Sequence, residues 1–272
     1  MNADYPPARR PISPERIAVP MSDASTANPQ KAHYEAVHDA YQEYYDPESM
    51  VYRERFIYGP LLEGLDLDDK DVADLACGSG VTSKSILSRF PRARTCGFDI
   101  SARGCADYRA ALGRPAYEAD LTKPVDVGQR FDAAIIIGGL HHCVIDLPGT
   151  LRTIRDLLNP GGLLLMMEPS DDFVLAGARR LWYRFDRYFD ADTEHALSHR
   201  EVLKAAGGDF AMRDVKYLGG PGYFFILNSM VFRLPRAVKQ VVTGPLLLTD
   251  RLYCCLPGAF LFPYFVARWQ RA

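Results

Sequence analysis

Asp74-Leu75-Ala76-Cys77-Gly78-Ser79-Gly80 closes the apolar run VADLAC (72–77) and opens the helix-like stretch VTSKSILSRF (81–90). A strand that turns into a helix through glycines lets a ligand approach the backbone closely. Free amides at the helix start favour a negative group, a nucleotide phosphate or an amino-acid carboxylate. Alone, G-x-G also describes an ordinary tight strand–helix turn. The residues around it have to decide.

Outward from this turn the pattern is regular. RTCGFDI (94–100), RPAYEAD (114–120), FDAAIIIG (131–138) and LLLMMEP (163–169) read as further strands, with ARGCADYRAAL and LPGTLRTIRDLLN as helices between them. Leu151, Ile154, Leu157 and Leu158 give the last helix an apolar stripe, and NPGG (159–162) stops it. Strands alternating with helices predict an α/β fold, doubly wound around a mostly parallel sheet. GDFAMRDVKYL and GYFFILN, joined by GGP, read as a closing β-hairpin over 208–228.

Asp99, in GFDI, ends the second strand 19 residues after Gly80. An acid at that distance suits hydrogen bonds from a ribose diol and repels a 2′-phosphate. Asp99 could also cap the following helix. A P-loop would need a Gly-Lys pair that GSGVTSKS lacks. A dinucleotide fingerprint wants a third small residue, and Ser83 stands at that place. No Tyr-x-x-x-Lys pair exists for a short-chain dehydrogenase. S-adenosylmethionine (SAM) is the third nucleotide reading.

DLACGSG, FDI, EADLTKP, FDAAIIIGGLHHC and LLNPGGLLLMMEP, in this order and spacing, resemble class I SAM-dependent methyltransferases over roughly residues 30–228. The likeness is to the small-molecule and lipid branch, including quinone-biosynthesis-type enzymes. It implies a Rossmann-like seven-stranded sheet with its last strand antiparallel, and SAM as cofactor. It further implies that Asp74, Ala76, Cys77, Gly78 and Gly80 cradle the methionine end. Asp99 would bind the ribose with Ile100 against the adenine. Asp120 and Leu121 would flank the adenine edge, and Gly138 or Gly139 would offer a carbonyl to the ammonium. Tyr34, Tyr44 and Arg55 match an N-terminal segment that closes over the cofactor. Ala76 stands where the fullest family pattern has glycine. The [DN]PP[YFW] signature of nucleobase amino methyltransferases is absent, and GGLHHC takes its place.

A hydroxyl acceptor needs a base, and histidine suits neutral pH. His141 and His142 stand just past the sheet edge and are the candidate catalytic residues; in this family such histidines also serve as packing groups. Residues 170–200 read as an inserted lid, with Trp182, Tyr183 and Arg184 as candidate acceptor contacts. The same aromatics would equally close a small core of their own. No His/Cys group has metal-ligand spacing. The expected reaction is methyl transfer to a small or lipid-like acceptor, at oxygen, in small-molecule biosynthesis. The competing classes are an NAD-dependent oxidoreductase and a non-catalytic SAM-fold binding protein.

Composition sets the outer limits. The 272 residues are 48% hydrophobic with a net charge of −2, which argues against a nucleic-acid binder on global charge. Residues 229–272 carry Arg233, Arg236, Lys239, Arg251, Arg268 and Arg271 against Asp250 alone. With the uncharged run LYCCLPGAFLFPYFVA (252–267), this reads as a helical extension that packs on the protein or rests on a membrane surface without crossing it. The proline-rich first 30 residues read as a disordered tail with no signal-peptide core. Six cysteines without a CxxC pair suit a reducing, cytoplasmic compartment. The expected organisation is a tail (1–30), a methyltransferase domain (31–228) and the extension (229–272).

Overall fold

The computed structural model describes residues 45–183, 195–227, 232 and 234–272. The candidate residues Tyr34, Tyr44 and Arg184, and the first 30 residues, lie outside this range.

Seven strands form one sheet in the order β3-β2-β1-β4-β5-β7-β6. They are β1 (Asp71–Leu75), β2 (Arg94–Asp99), β3 (Ala116–Glu118), β4 (Phe131–Ile137), β5 (Leu158–Pro169), β6 (Phe210–Leu218) and β7 (Tyr264–Arg271). The first five pair in parallel, and β7 runs antiparallel between β5 and β6. This is the doubly wound sheet with an antiparallel last strand that the sequence predicts.

Both sheet faces are apolar because alternate residues feed two cores. Ala73, Leu75, Ala134, Ile136, Leu164, Met166, Phe265 and Trp269 point to one. Val72, Ala133, Ile135, Leu165, Met167, Tyr264 and Val266 point to the other. A chain start made of α1 (Pro47–Arg53), a wide π-type turn (Glu54–Tyr58) and α2 (Gly59–Leu62) covers the second face. Helix α3 (Val81–Arg89) follows β1, and α4 (Ala102–Leu112) follows β2. Helix α5 (Leu147–Leu157) buries Leu147, Leu151, Ile154 and Leu157 against the first face. Its N-terminus is capped by Asp146, whose side chain accepts from Gly149 N. Helices α6 (Ala176–Tyr183) and α7 (His199–Ala205) lie between β5 and β6.

The hairpin expected over 208–228 is corrected at its second arm. Residues Tyr223–Leu227 form a π-type turn, with Tyr223, Ile226 and Leu227 buried at helical spacing. The true partner of β6 is β7, reached through α8 (Arg236–Tyr253). Residues 229–272 are therefore not wholly a helical extension: their end is a central strand. Arginines disguised it. Arg268 donates to the carbonyls of Pro60 and Glu63, and Arg271 to that of Arg155, so the guanidiniums leave the sheet while Phe265 and Trp269 stay inside.

Helix α8 is tied to the chain start by buried polar groups. Tyr52 donates to Asp250 Oδ2 at 2.7 Å, and Gly220 N and Gly222 N donate to the same carboxylate. Lys239, 1% exposed, donates to Asp46 and to Ser49 Oγ.

His199 packs behind β7, where Trp269 Nε1 donates to its Nε2 at 3.1 Å. Burial holds this imidazole below its ordinary 6.5. The folded state thus binds fewer protons than the unfolded chain, so the stability carried by the neutral ring is complete above about pH 6.5 and is lost as pH falls below it. In urea unfolding, the stability advantage of the wild type over His199→Gln should therefore shrink as pH is lowered from about 8 to about 5. Parallel curves for the two proteins would contradict this assignment.

Candidate functional site

The strand order reverses between β1 and β4, so the crevice beyond their carboxyl ends is where an open α/β sheet receives a ligand. Two loops meet there. The β1–α3 loop places Ala76, Gly78 and Gly80 at φ of 52°, 47° and 86°. The β4–α5 loop contains Gly138, Gly139 and two 3₁₀ turns, Leu140–His142 and Val144–Asp146. They touch closely: a Cβ on Gly139 would lie 2.7 Å from Ala76 Cβ. A small residue at 76 is needed for that contact, so alanine serves where the family pattern has glycine.

Two carboxylates shape the first loop. Asp99 Oδ2 accepts from Gly78 N and Oδ1 from Ser101 N, both at 2.8 Å. Beneath it Asp74 accepts from Ser83 N at 3.0 Å and Ser83 Oγ at 2.6 Å. Burial pushes the Asp74 carboxyl up to about 7. Gly80 is the N-cap of α3 and supplies no side-chain cap; Asp74 takes an amide of the first turn in its stead, through Ser83 N. Cys77 is buried, and desolvation raises its thiol well above the ordinary value, which makes it a packing group.

The remaining predicted positions flank these. Ile100 is half-buried beside Asp99. Asp120 holds an Asx turn, accepting from Thr122 N and Oγ1, and Leu121 is buried in the core. Gly138 takes φ of 64° and donates to Met167 O. Arg55 is exposed along the Phe56 ring. The arginine on the loop side is instead Arg53, which sits over the Tyr45 ring and whose charge acts on Tyr58, as that of Asp74 does. Its Nε is buried without a hydrogen-bond partner, a donor suited to an incoming carboxylate. Trp182 and Tyr183 belong to α6.

The group that sequence reasoning missed is Glu168. It is fully buried near the end of β5. Its Oε1 accepts from Gly139 N (3.1 Å) and Leu140 N (2.7 Å), and its Oε2 from His141 N (3.2 Å). Oε2 also lies 2.7 Å from His141 Nδ1. With both oxygens accepting amide hydrogens, the proton shared with the ring belongs to Nδ1. His142 packs against His141 with ring centroids 3.8 Å apart and the rings tilted by 40°. The visible signal was an acid ending an otherwise apolar strand, opposite a double histidine.

Residues of this kind suit a nucleoside carrying an amino-acid tail: a glycine cradle, acids at Asp99 and Asp120, and an arginine with a buried Nε donor for a carboxylate. A family model described as a methyltransferase domain matches residues 73–164. A trans-aconitate 2-methyltransferase of Azoarcus sp. (strain BH72) is 35% identical over 118 residues, 41% of this chain and 44% of that protein. A malonyl-[acyl-carrier protein] O-methyltransferase of Acetivibrio thermocellus is 31% identical over 110 residues, 38% of each. The chain thus spans less than half the length of these curated relatives. The crystal structure of the N-methyltransferase NodS from Bradyrhizobium japonicum WM9 with S-adenosyl-L-homocysteine superposes with a TM-score of 0.54 at 11% identity, covering 88% of this chain and 98% of that one. The fold is that of SAM-dependent methyltransferases.

Two glycine substitutions separate folding from binding. At Gly80 (φ 86°) a Cβ would meet Leu112 Cδ1 at 2.7 Å, so Gly80→Ala should cost about 2–4 kcal/mol of stability. At Gly78 (φ 47°) it would meet nothing within 4 Å, so Gly78→Ala should cost only about 1–2 kcal/mol. The sequence places the ligand at this open space, so this variant is expected to fold yet bind S-adenosylhomocysteine poorly. Melting curves with parallel calorimetric titrations check both halves; full affinity in Gly78→Ala would displace the ligand from this loop.

Proposed function

We propose that this chain is a SAM-dependent methyltransferase that methylates a hydroxyl of a small or lipid-like acceptor, with His141 as the base. The buried Glu168–His141 pair at the mouth of the crevice carries this reading. SAM supplies an activated sulfonium methyl, so the protein's task is to align the acceptor and take its proton.

Asp74 through Gly80 hold the amino-acid end of the cofactor, and Arg53 meets its carboxylate. Asp99 receives the ribose hydroxyls, with Ile100, Asp120 and Leu121 around the adenine. Gly138 offers its carbonyl to the ammonium. Glu168 orients His141 and keeps its Nδ1 protonated, which leaves the Nε2 lone pair to accept the acceptor's proton. His142 packs against that ring and steadies it. The alternation of buried amide donors around Glu168 makes the pair a fixed part of the β4–α5 loop rather than a mobile side chain.

Apolar groups favour an apolar acceptor. Phe173 stacks on Phe224 with centroids 5.9 Å apart, close to where α6 begins. Trp182 and Tyr183, at the end of α6, and Arg184, outside the described residues, are the acceptor contacts the sequence offers, the arginine suiting an anionic group. A hydroxylated ring bearing a long apolar chain, as in quinone precursors, fits this chemistry. The relative from Acetivibrio thermocellus is named for transfer to oxygen, which agrees with the proposed site of attack.

The test is release of S-adenosylhomocysteine from SAM in the presence of hydroxylated acceptors with and without apolar chains. Turnover with at least one is expected. His141→Gln should lower kcat about 10²- to 10⁴-fold while leaving S-adenosylhomocysteine affinity intact, and added imidazole should restore part of the rate. His142→Gln should lose less. Unchanged turnover in His141→Gln would remove the base from the account.

A further inference from the structure

The chain carries an apolar face that its own described residues leave uncovered. On α8, Val238, Val241, Leu248 and Leu252 repeat at helical spacing on the side opposite Lys239, Leu247 and Asp250, which face the protein. Val241 is 76% exposed and Leu252 66%. The face continues through Leu256 and Phe260. Val174 N donates to Phe260 O at 2.8 Å, which joins it to the exposed Val174, Leu175 and Leu181 at α6.

Charge decides what such a face fits. Exposed Arg180, Arg236 and Arg251 border it. The only acid in α6, α8 or residues 254–263 is Asp250, which is fully buried and holds Tyr52, Gly220 and Gly222. Glu48 lies 3.9 Å from Arg236, whose side chain stays 64% exposed. Exposed Asp172 acts on His199 and Tyr217, which pack on the other side of the sheet. A two-fold contact between copies sets the same patch against itself, here arginines against arginines. An anionic lipid surface complements both the apolar stripe and its cationic border. No helix among the described residues is long and apolar enough to cross a membrane, so the contact is with the surface.

We propose that the face formed by α8, Leu256, Phe260 and the start of α6 docks the protein on anionic bilayers. Docking would set the Phe173–Phe224 pair, beside the start of α6, next to the lipid. It would also engage the helix that holds the chain start through Tyr52–Asp250 and Lys239–Ser49, next to the cofactor loops. An acceptor with an apolar chain could then enter without passing through water.

The test is sedimentation of the full chain with phosphatidylcholine vesicles, with and without phosphatidylglycerol, at low and high salt. Binding that needs the anionic lipid and weakens with salt is expected. Leu248→Glu with Leu252→Glu should lower the partition coefficient at least about tenfold, with melting temperature and S-adenosylhomocysteine affinity unchanged. Arg180→Glu with Arg251→Glu should remove the preference for anionic lipid. No binding by the wild type, equal binding to neutral vesicles, or full binding by the leucine variant would each overturn the proposal. Light scattering showing a dimer broken by the leucine variant, without vesicle binding, would give the face to a second copy. Cross-links from α8 to residues 1–44, again without vesicle binding, would give it to the chain itself.

Discussion

A carboxylate taken out of water has to replace its hydration with N–H and O–H donors, and this requirement organises the crevice. Glu168 is the extreme case: its two oxygens gather three consecutive backbone amides and one imidazole. Three amides can converge on one group only if the chain leaves β4 in a tight turn, which Gly138 and Gly139 permit. The acid therefore dictates the path of the loop, and the loop dictates where His141 stands. Leaving such a group without its donors would cost several kcal/mol. The geometry is thus part of the fold's stability as well as of its proposed chemistry.

The same rule recurs at the other loops. Asp99 draws Gly78 N and Ser101 N together and so joins the ends of β1 and β2. Asp74 holds the first turn of α3 through Ser83. Asp250 fastens the Gly220–Gly222 segment and Tyr52 to α8. Each of these acids lies where a loop must be fixed in one shape. Asp74 and Asp250 are both held above the ordinary carboxylate value by burial, which shows how far the surroundings are from water.

The parallel half of the sheet was legible in the sequence because its strands are largely buried and read as short, mostly apolar runs ended by glycine or acid. The last strand was not. YFVARWQR hides two-sided burial behind arginines whose heads reach backbone carbonyls beyond the sheet, and Pro263 just before it suggests a break. GYFFILN, uniformly apolar, offered a false partner, yet its burial follows a helical spacing. The cradle of Asp74, Gly78, Gly80 and Asp99 was legible from spacing. Glu168 was not, since its role depends on β5 lying beside β4 in register, with Met167 opposite Ile137.

The central claim is that this crevice holds S-adenosylmethionine. Calorimetric titration of the full chain with S-adenosylhomocysteine, run beside NAD⁺, tests it most directly. The account predicts saturable binding of S-adenosylhomocysteine, greatly weakened in Asp99→Ala, and no heat from NAD⁺. Binding of NAD⁺ with none of S-adenosylhomocysteine would contradict it, and would turn the same glycine loop and ribose acid into a dinucleotide site.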